Sequence, residues 1–159
     1  MNRPQTLWDF SCHLYAKPGI QTLCLKLQNQ HGCNVPLLLF CCWAGLRYGA
    51  VSAPQLQAAK DFSHDFSREL TQPLRQLRTT MKQDHPNTWP ALGEQWQHMR
   101  EQVKSLELAS ERILLDGLEQ LSREWRQPPD LTNSALSNML TCYPELSKDA
   151  LMPLCSALG

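Results

Sequence analysis

The sequence predicts an all-α fold: a single domain over residues 1–159, six to eight helices bundled around a buried central helix at Asn34–Tyr48. Three observations carry this. From Val35 to Leu46 the chain is apolar on every helical face, so a helix there must be covered on all sides. Elsewhere apolar residues recur at steps of three and four, the spacing of amphipathic helices. Capping residues and glycine stops bracket these segments, and no segment reads convincingly as a strand.

Taken in order, Thr6 caps a first helix from Leu7 to about Tyr15, with Leu7, Phe10 and Leu14 on one face and Trp8 and Tyr15 beside them. Lys17-Pro18-Gly19 breaks it. A second helix runs from about Ile20 to Gln30 on Ile20, Leu23, Cys24 and Leu27, and Gly32 is its left-handed stop. Asn34 caps the central helix, with Pro36 in a first turn that needs no N–H donor. That helix stays apolar for twelve residues before Arg47, short of the roughly 18–20 that a bilayer demands.

Ser52 and Gln55 form a capping box around Pro54 and open a fourth helix, with Leu56, Ala59, Phe62, Phe66 and Leu70 on one face. Pro73 is expected to kink or interrupt it before Leu74, Leu77 and Met81 continue. The polar stretch 82–89 reads as a hinge. The longest helix is expected over about Pro90–Trp125. Its stripe begins as Leu92, Trp96, Met99, Val103 and Leu106 and passes to Leu114, Leu118, Leu121 and Trp125. Gly117 marks a close helix crossing. After Gln127-Pro128-Pro129-Asp130, short helices over about Thr132–Cys142 and Lys148–Leu158 complete the chain.

Fifteen basic residues balance fifteen acidic ones, so no global charge draws the chain to nucleic acid or anionic lipid. The N-terminal stretch lacks a continuous apolar run, which together with the short central helix predicts a cytoplasmic protein without a membrane span. The seven cysteines are odd in number and contain no C-x-x-C pair. Cys12, His13, Cys24, His31 and Cys33 could be assembled into a zinc set, but only His31-x-Cys33 is tight, so buried free thiols are the expectation and no cofactor is assigned. Cys41 and Cys42 point about 100° apart on a helix and suit neither chelation nor pairing with each other.

Several blocks resemble an uncharacterised family of short, all-helical, cytoplasmic bacterial proteins. They are Leu7-Trp8-Asp9-Phe10-Ser11, Leu14-Tyr15-x-x-Pro18-Gly19, Cys24-Leu25-x-Leu27-Gln28 and Asn34-Val35-Pro36-Leu37-Leu38-Leu39-Phe40-x-x-Trp43. Pro73-Leu74-Arg75-x-Leu77-Arg78 and Glu107-Leu108-x-x-Glu111-Arg112 are similar to its later blocks. The resemblance runs from Leu7 to about Leu115 and implies a helical domain of unknown function, with no activity attached.

Three constellations bear on function. Arg68, Arg75, Arg78 and Lys82 would share one face of an unbroken helix and could hold phosphate or an RNA backbone. The competing reading, favoured here, is a solvated face that complements acidic residues on the long helix. Glu107 and Glu111, one turn apart, are expected to meet Arg112, Arg75 or Arg78 in a salt-bridge network rather than a metal, because no Glu-x-x-His accompanies them. Histidines and cysteines supply reagents for catalysis, yet no G-x-S-x-G, P-loop, G-x-G-x-x-G or H-E-x-x-H is present.

Of the five tryptophans, Trp89 beside Pro90 and Trp125 at a helix end stand where partner anchors are typically found. The leading expectation is therefore a non-catalytic protein-interaction module that engages another protein around Trp89 and Trp125. A binder of RNA or a phosphate-bearing ligand through the basic face is the alternative. A small enzyme with its site between the first and third helices ranks third, and it requires an open polar pocket there.

Overall fold

The structure, a computed structural model, describes residues 5–82, 93–128 and 132–159, and every regular element among them is helical. The first three are α1 (Leu7–Tyr15), α2 (Ile20–His31) and α3 (Val35–Arg47). Thr6 accepts the Asp9 N–H to cap α1, and the Glu119 carboxylate accepts the Leu7 N–H at 2.7 Å, satisfying a second free donor of that first turn. Gly32 ends α2 with φ 65°, where a side chain would be strained. Asn34 Oδ1 accepts the Leu37 N–H at 3.0 Å, with Pro36 in the first turn of α3, as its sequence predicts.

α4 (Ala53–Phe66) starts at Ser52, whose hydroxyl accepts the Gln55 N–H. Gln55 answers through its side chain to the same hydroxyl at 2.8 Å. Pro73 does not end this rod. Residues Ser67–Thr71 widen into a π-helical turn, and α5 (Gln72–Thr80) continues with Pro73 in its first turn. A proline ring presses on the carbonyl four residues before it, and the wide turn lies where that pressure falls. The remaining elements are α6 (Gly93–Leu121), α7 (Ala135–Cys142) and α8 (Lys148–Ser156). With α4, the π turn and α5 counted as one rod, seven helical rods are described. Residues 83–89 of the expected hinge, and Pro90 and Leu92 at the start of the expected long helix, lie outside the described residues. That helix stops at Leu121, and Trp125 follows in a turn where its N–H donates to the Ser122 carbonyl at 3.0 Å.

α3 is the axis of the molecule, packed by α1, α2, α4, α6 and α7. Leu37, Leu38, Phe40, Cys41, Cys42 and Ala44 have no exposed surface. Its closest neighbour is α7: a Cβ on Gly45 would lie 2.4 Å from the Ala135 nitrogen, so the two backbones meet where only glycine fits. Asn138 of α7 fastens the α3–α4 turn, donating to Gly49 O and accepting from Val51 N, each at 3.0 Å. No described helix is long and apolar enough to cross a membrane.

The structure corrects the expected stripes on the α4–α5 and α6 rods. The buried residues of the first rod include Ser63, Ser67 and Thr71, the first two bonded to Asn34 at the start of α3, and those of the second include Val103, Glu107, Ser110 and Leu114. Thr71 and Ser110 hydroxyls meet at 2.9 Å. Small hydroxyl side chains let the rods approach, and Glu107 takes the position where an apolar residue was expected. Met99, Leu106, Phe62 and Leu70, read from the sequence as core, are consequently exposed.

Candidate functional site

The two rods and the N-terminal helices enclose the site. α1 and α2 lie across from α5 and α6, and an open groove of about 590 Å³ runs between them. Trp8, Leu25, Val35, Leu39, Leu108 and Leu115 give it apolar walls, and Arg75, Arg78, Lys104, Glu107 and Glu111 add charge. The size lies within the range of pockets that hold small molecules or anchoring side chains. Arg112 stacks over the Trp8 ring, 4.7 Å from its centroid, and bridges α6 to α1. The Ser11 hydroxyl of α1 lines the groove, is buried, and finds no hydrogen-bond partner among the described residues. A buried hydroxyl left this way costs free energy until something bonds to it.

Glu107 is the hub of the charged cluster. Its Oε1 accepts from Arg75 Nε at 3.0 Å and its Oε2 from Arg78 Nε at 2.5 Å, while Arg75 Nη2 reaches Glu111 Oε1 at 3.2 Å. The Glu107 side chain is only 9% exposed. Burial alone would raise its carboxyl, but hydrogen bonds and charge from Arg78 and Arg75 outweigh that and hold it below the ordinary value. Glu111 goes the other way: burial raises it, the single Arg75 contact offsets this in part, and repulsion by Glu107 adds to it. Burial likewise pushes up the Tyr15 phenol on the opposite wall. A more polar recess of about 310 Å³ adjoins the groove and shares Gln28, Val35, Pro36, Arg75 and Glu111 with it.

The basic row named from the sequence is thus divided. Arg75 and Arg78 face the glutamates, and Arg68 pairs with Asp65 at 2.8 Å on an exposed surface. Lys82 is exposed at the end of the α5 rod. The expected salt-bridge network forms with Arg75 and Arg78, whereas Arg112 serves Trp8 instead. Trp89 lies outside the described residues. Trp125 is half-buried: its ring sits 5.7 Å from both Phe40 and Tyr48, edge-on, within the aromatic packing behind α3. The partner role read for it would rest on its remaining exposed edge.

Five cysteines are buried, Cys155 is half-buried and Cys12 is exposed. Cys41 touches Cys142 (Sγ–Sγ 3.7 Å) and Cys42 faces Met139 at 3.9 Å, so the neighbours on α3 use different partners on α7. Burial pushes Cys24 and Cys33 up to about 11. Among the described residues no three of His, Cys, Asp or Glu gather to hold a metal.

Sequence reasoning missed the groove itself. Its apolar walls include Leu25 and Leu108, exposed residues that stand off the core stripes of their helices. Apolar residues out of phase with a helix's buried face are the signal that could have found it.

The fold and groove together define a class, a small all-helical domain with a largely apolar cleft, and no activity follows from them. A family model described as "Protein of unknown function (DUF2390)" matches residues 6–118, more than two thirds of the chain, and the chain belongs to that family. The match covers both walls of the groove and leaves α7 and α8 outside. No curated protein and no solved structure matches the chain.

Proposed function

We propose that the protein is a non-catalytic interaction module that seats an apolar segment of a partner protein in the groove between α1, α2 and α6. The observation that carries this is the open cleft itself, walled by Trp8, Leu25, Leu39, Leu108 and Leu115 and edged by the Arg75–Glu111 pair. Apolar walls supply affinity, while the Arg75–Glu111 pair at the edge supplies the few polar contacts that fix orientation. A cytoplasmic setting belongs to the same reading, since buried thiols in contact, such as Cys41 and Cys142, suit a reducing compartment. Bacterial origin rests on the resemblance alone. The test is an affinity capture with the wild-type chain and with Leu108→Glu and Leu25→Glu. The reading expects a partner that both variants lose, and recovery that ignores both substitutions would contradict it.

One observation favours a second reading. Glu111 holds a raised carboxyl at an open cleft, as a proton carrier in a small enzyme would. That reading expects turnover of some substrate to vanish in Glu111→Gln while binding persists. The phosphate or RNA alternative has less support, because Arg68, Arg75 and Arg78 already face carboxylates. Its mark would be an affinity that falls steeply with salt.

A further inference from the structure

The groove occupies one side of the paired rods, and the opposite side carries the largest unexplained feature of the surface. Along α6, Met99, Leu106 and Ile113 are 50%, 56% and 58% exposed. They are spaced by seven residues, which keeps them within about 40° of arc on a helix. Along the other rod Phe62, Leu70 and Leu77 are also exposed. Three contacts set the two rods antiparallel and in register: Phe62 lies against Gly117, Thr71 meets Ser110, and Trp96 Nε1 donates to Met81 O at 2.8 Å. Arg75, Glu107 and Glu111 lie toward the groove, so these six apolar residues fall together on the far side. None of them belongs to the buried core, and Phe62, the least exposed, rests its ring beside Gly117 and Phe66. Scattered apolar residues need no explanation, but a contiguous face marks an interaction site.

We propose that this face joins two copies of the chain about a two-fold axis near Leu106. An isologous interface must be complementary to itself, and α6 has that property. Laid antiparallel on a second α6, the stripe sets Leu106 against Leu106 and Met99 against Ile113, as in an antiparallel seam of heptads. The flank of α6 is complementary as well, an imidazole N–H donor set against a carboxylate acceptor. His98 and Asp116 stand on the same flank of the stripe, eight residues before and ten after Leu106, so the same axis brings Asp116 of one copy to His98 of the other, twice. Between them this flank of α6 carries Gln102, Ser105 and Ala109, so no like charges oppose each other along it. The arrangement leaves both grooves open on the outside of the pair.

The test is the mass in solution of the full chain by light scattering and sedimentation equilibrium. The proposal expects twice 18.2 kDa at micromolar concentration. Leu106→Glu and Ile113→Glu, placed where charge is solvated in the single chain, return the mass to 18.2 kDa with unchanged helical circular dichroism. Leu108→Glu, on the groove side, leaves the dimer intact. In a Cys12→Ser background, Leu106→Cys oxidises to a covalent dimer. Met99→Cys and Ile113→Cys link when mixed and not when oxidised alone. A mass of 18.2 kDa at every concentration overturns the proposal. So does a dimer that tolerates Leu106→Glu, or one broken by Leu108→Glu alone. The first two results leave the groove reading untouched, and the third would place the contact between copies in the groove itself.

Discussion

At the scale of single residues, Glu107 and Glu111 illustrate how surroundings separate two identical side chains one turn apart. Glu107 meets two guanidiniums and is nearly buried, so removing its charge strands both of them. Glu107→Gln is expected to cost about 2–3 kcal/mol in urea unfolding. Glu111→Gln should cost less than about 1 kcal/mol, because its one contact is shared and partly solvated. Equal losses would show that the hub is wrongly assigned. The pH dependence follows with its sign. Glu107 is depressed in the folded state, so its contribution is present above its unfolded value and is lost as pH falls through the folded one. His64 is also lowered, by burial beside Tyr143, so its protonation opposes folding once pH drops below the ordinary histidine range. Glu111 is raised and works against the acid-side loss. Stability should therefore decline in two stages on acidification, and His64→Gln should remove the earlier one. Thiol labelling gives an independent check: Cys12 reacts first, Cys155 more slowly, and the five buried cysteines on unfolding. Rapid reaction of Cys41 or Cys142 in the native protein would contradict the packing of α3 on α7.

At the scale of elements, two glycines that look alike in sequence differ in consequence. A Cβ at Gly45 meets Ala135 backbone, which cannot move without α7. A Cβ at Gly117 meets the outer end of the half-open Phe62 ring, which can swing toward solvent. Gly45→Ala should then cost about 2 kcal/mol or more through overpacking. Gly117→Ala should be near neutral, because the roughly 1 kcal/mol gained in helix propensity offsets the displaced ring. Thermal melts of the two variants decide it. Much of this level was legible before the structure. Thr6, Gly32, Asn34 and Ser52 mark helix ends through backbone chemistry that is local, and each sits where its residue type implies. The rotation of α6 about its axis was not legible. Leu106 and Glu107 are adjacent, and either face could have been inward. The choice falls to Arg75 and Arg78 on another rod, a long-range electrostatic match that a stripe of apolar spacing cannot report. The π turn was hidden for the same kind of reason: Pro73 announces a disturbance but not how the backbone absorbs it.

At the scale of the whole molecule, the buried helix α3 organises everything and touches no chemistry directly. Its sealed centre, Phe40 among Cys41, Cys42 and Leu38, holds α1 and α2 on one side and the paired rods on the other. Only its first turn, at Val35 and Pro36, and Leu39 reach the groove. The groove was illegible in the sequence because its walls come from five elements, α1, α2, α3, α5 and α6, and no one of them announces its neighbours. The bundle thus has a sealed core, a largely apolar cleft with a charged edge on one side of the paired rods, and exposed apolar residues on the other. The central claim is that the cleft is the surface that meets a partner. A photo-reactive amino acid placed at Leu108 or Leu25 in the full chain, expressed in its own cells, tests this most directly. The account expects one discrete partner adduct from both positions and none from Met152, an exposed apolar residue on α8. Adducts from Met152 alone, or none from the cleft, would contradict it.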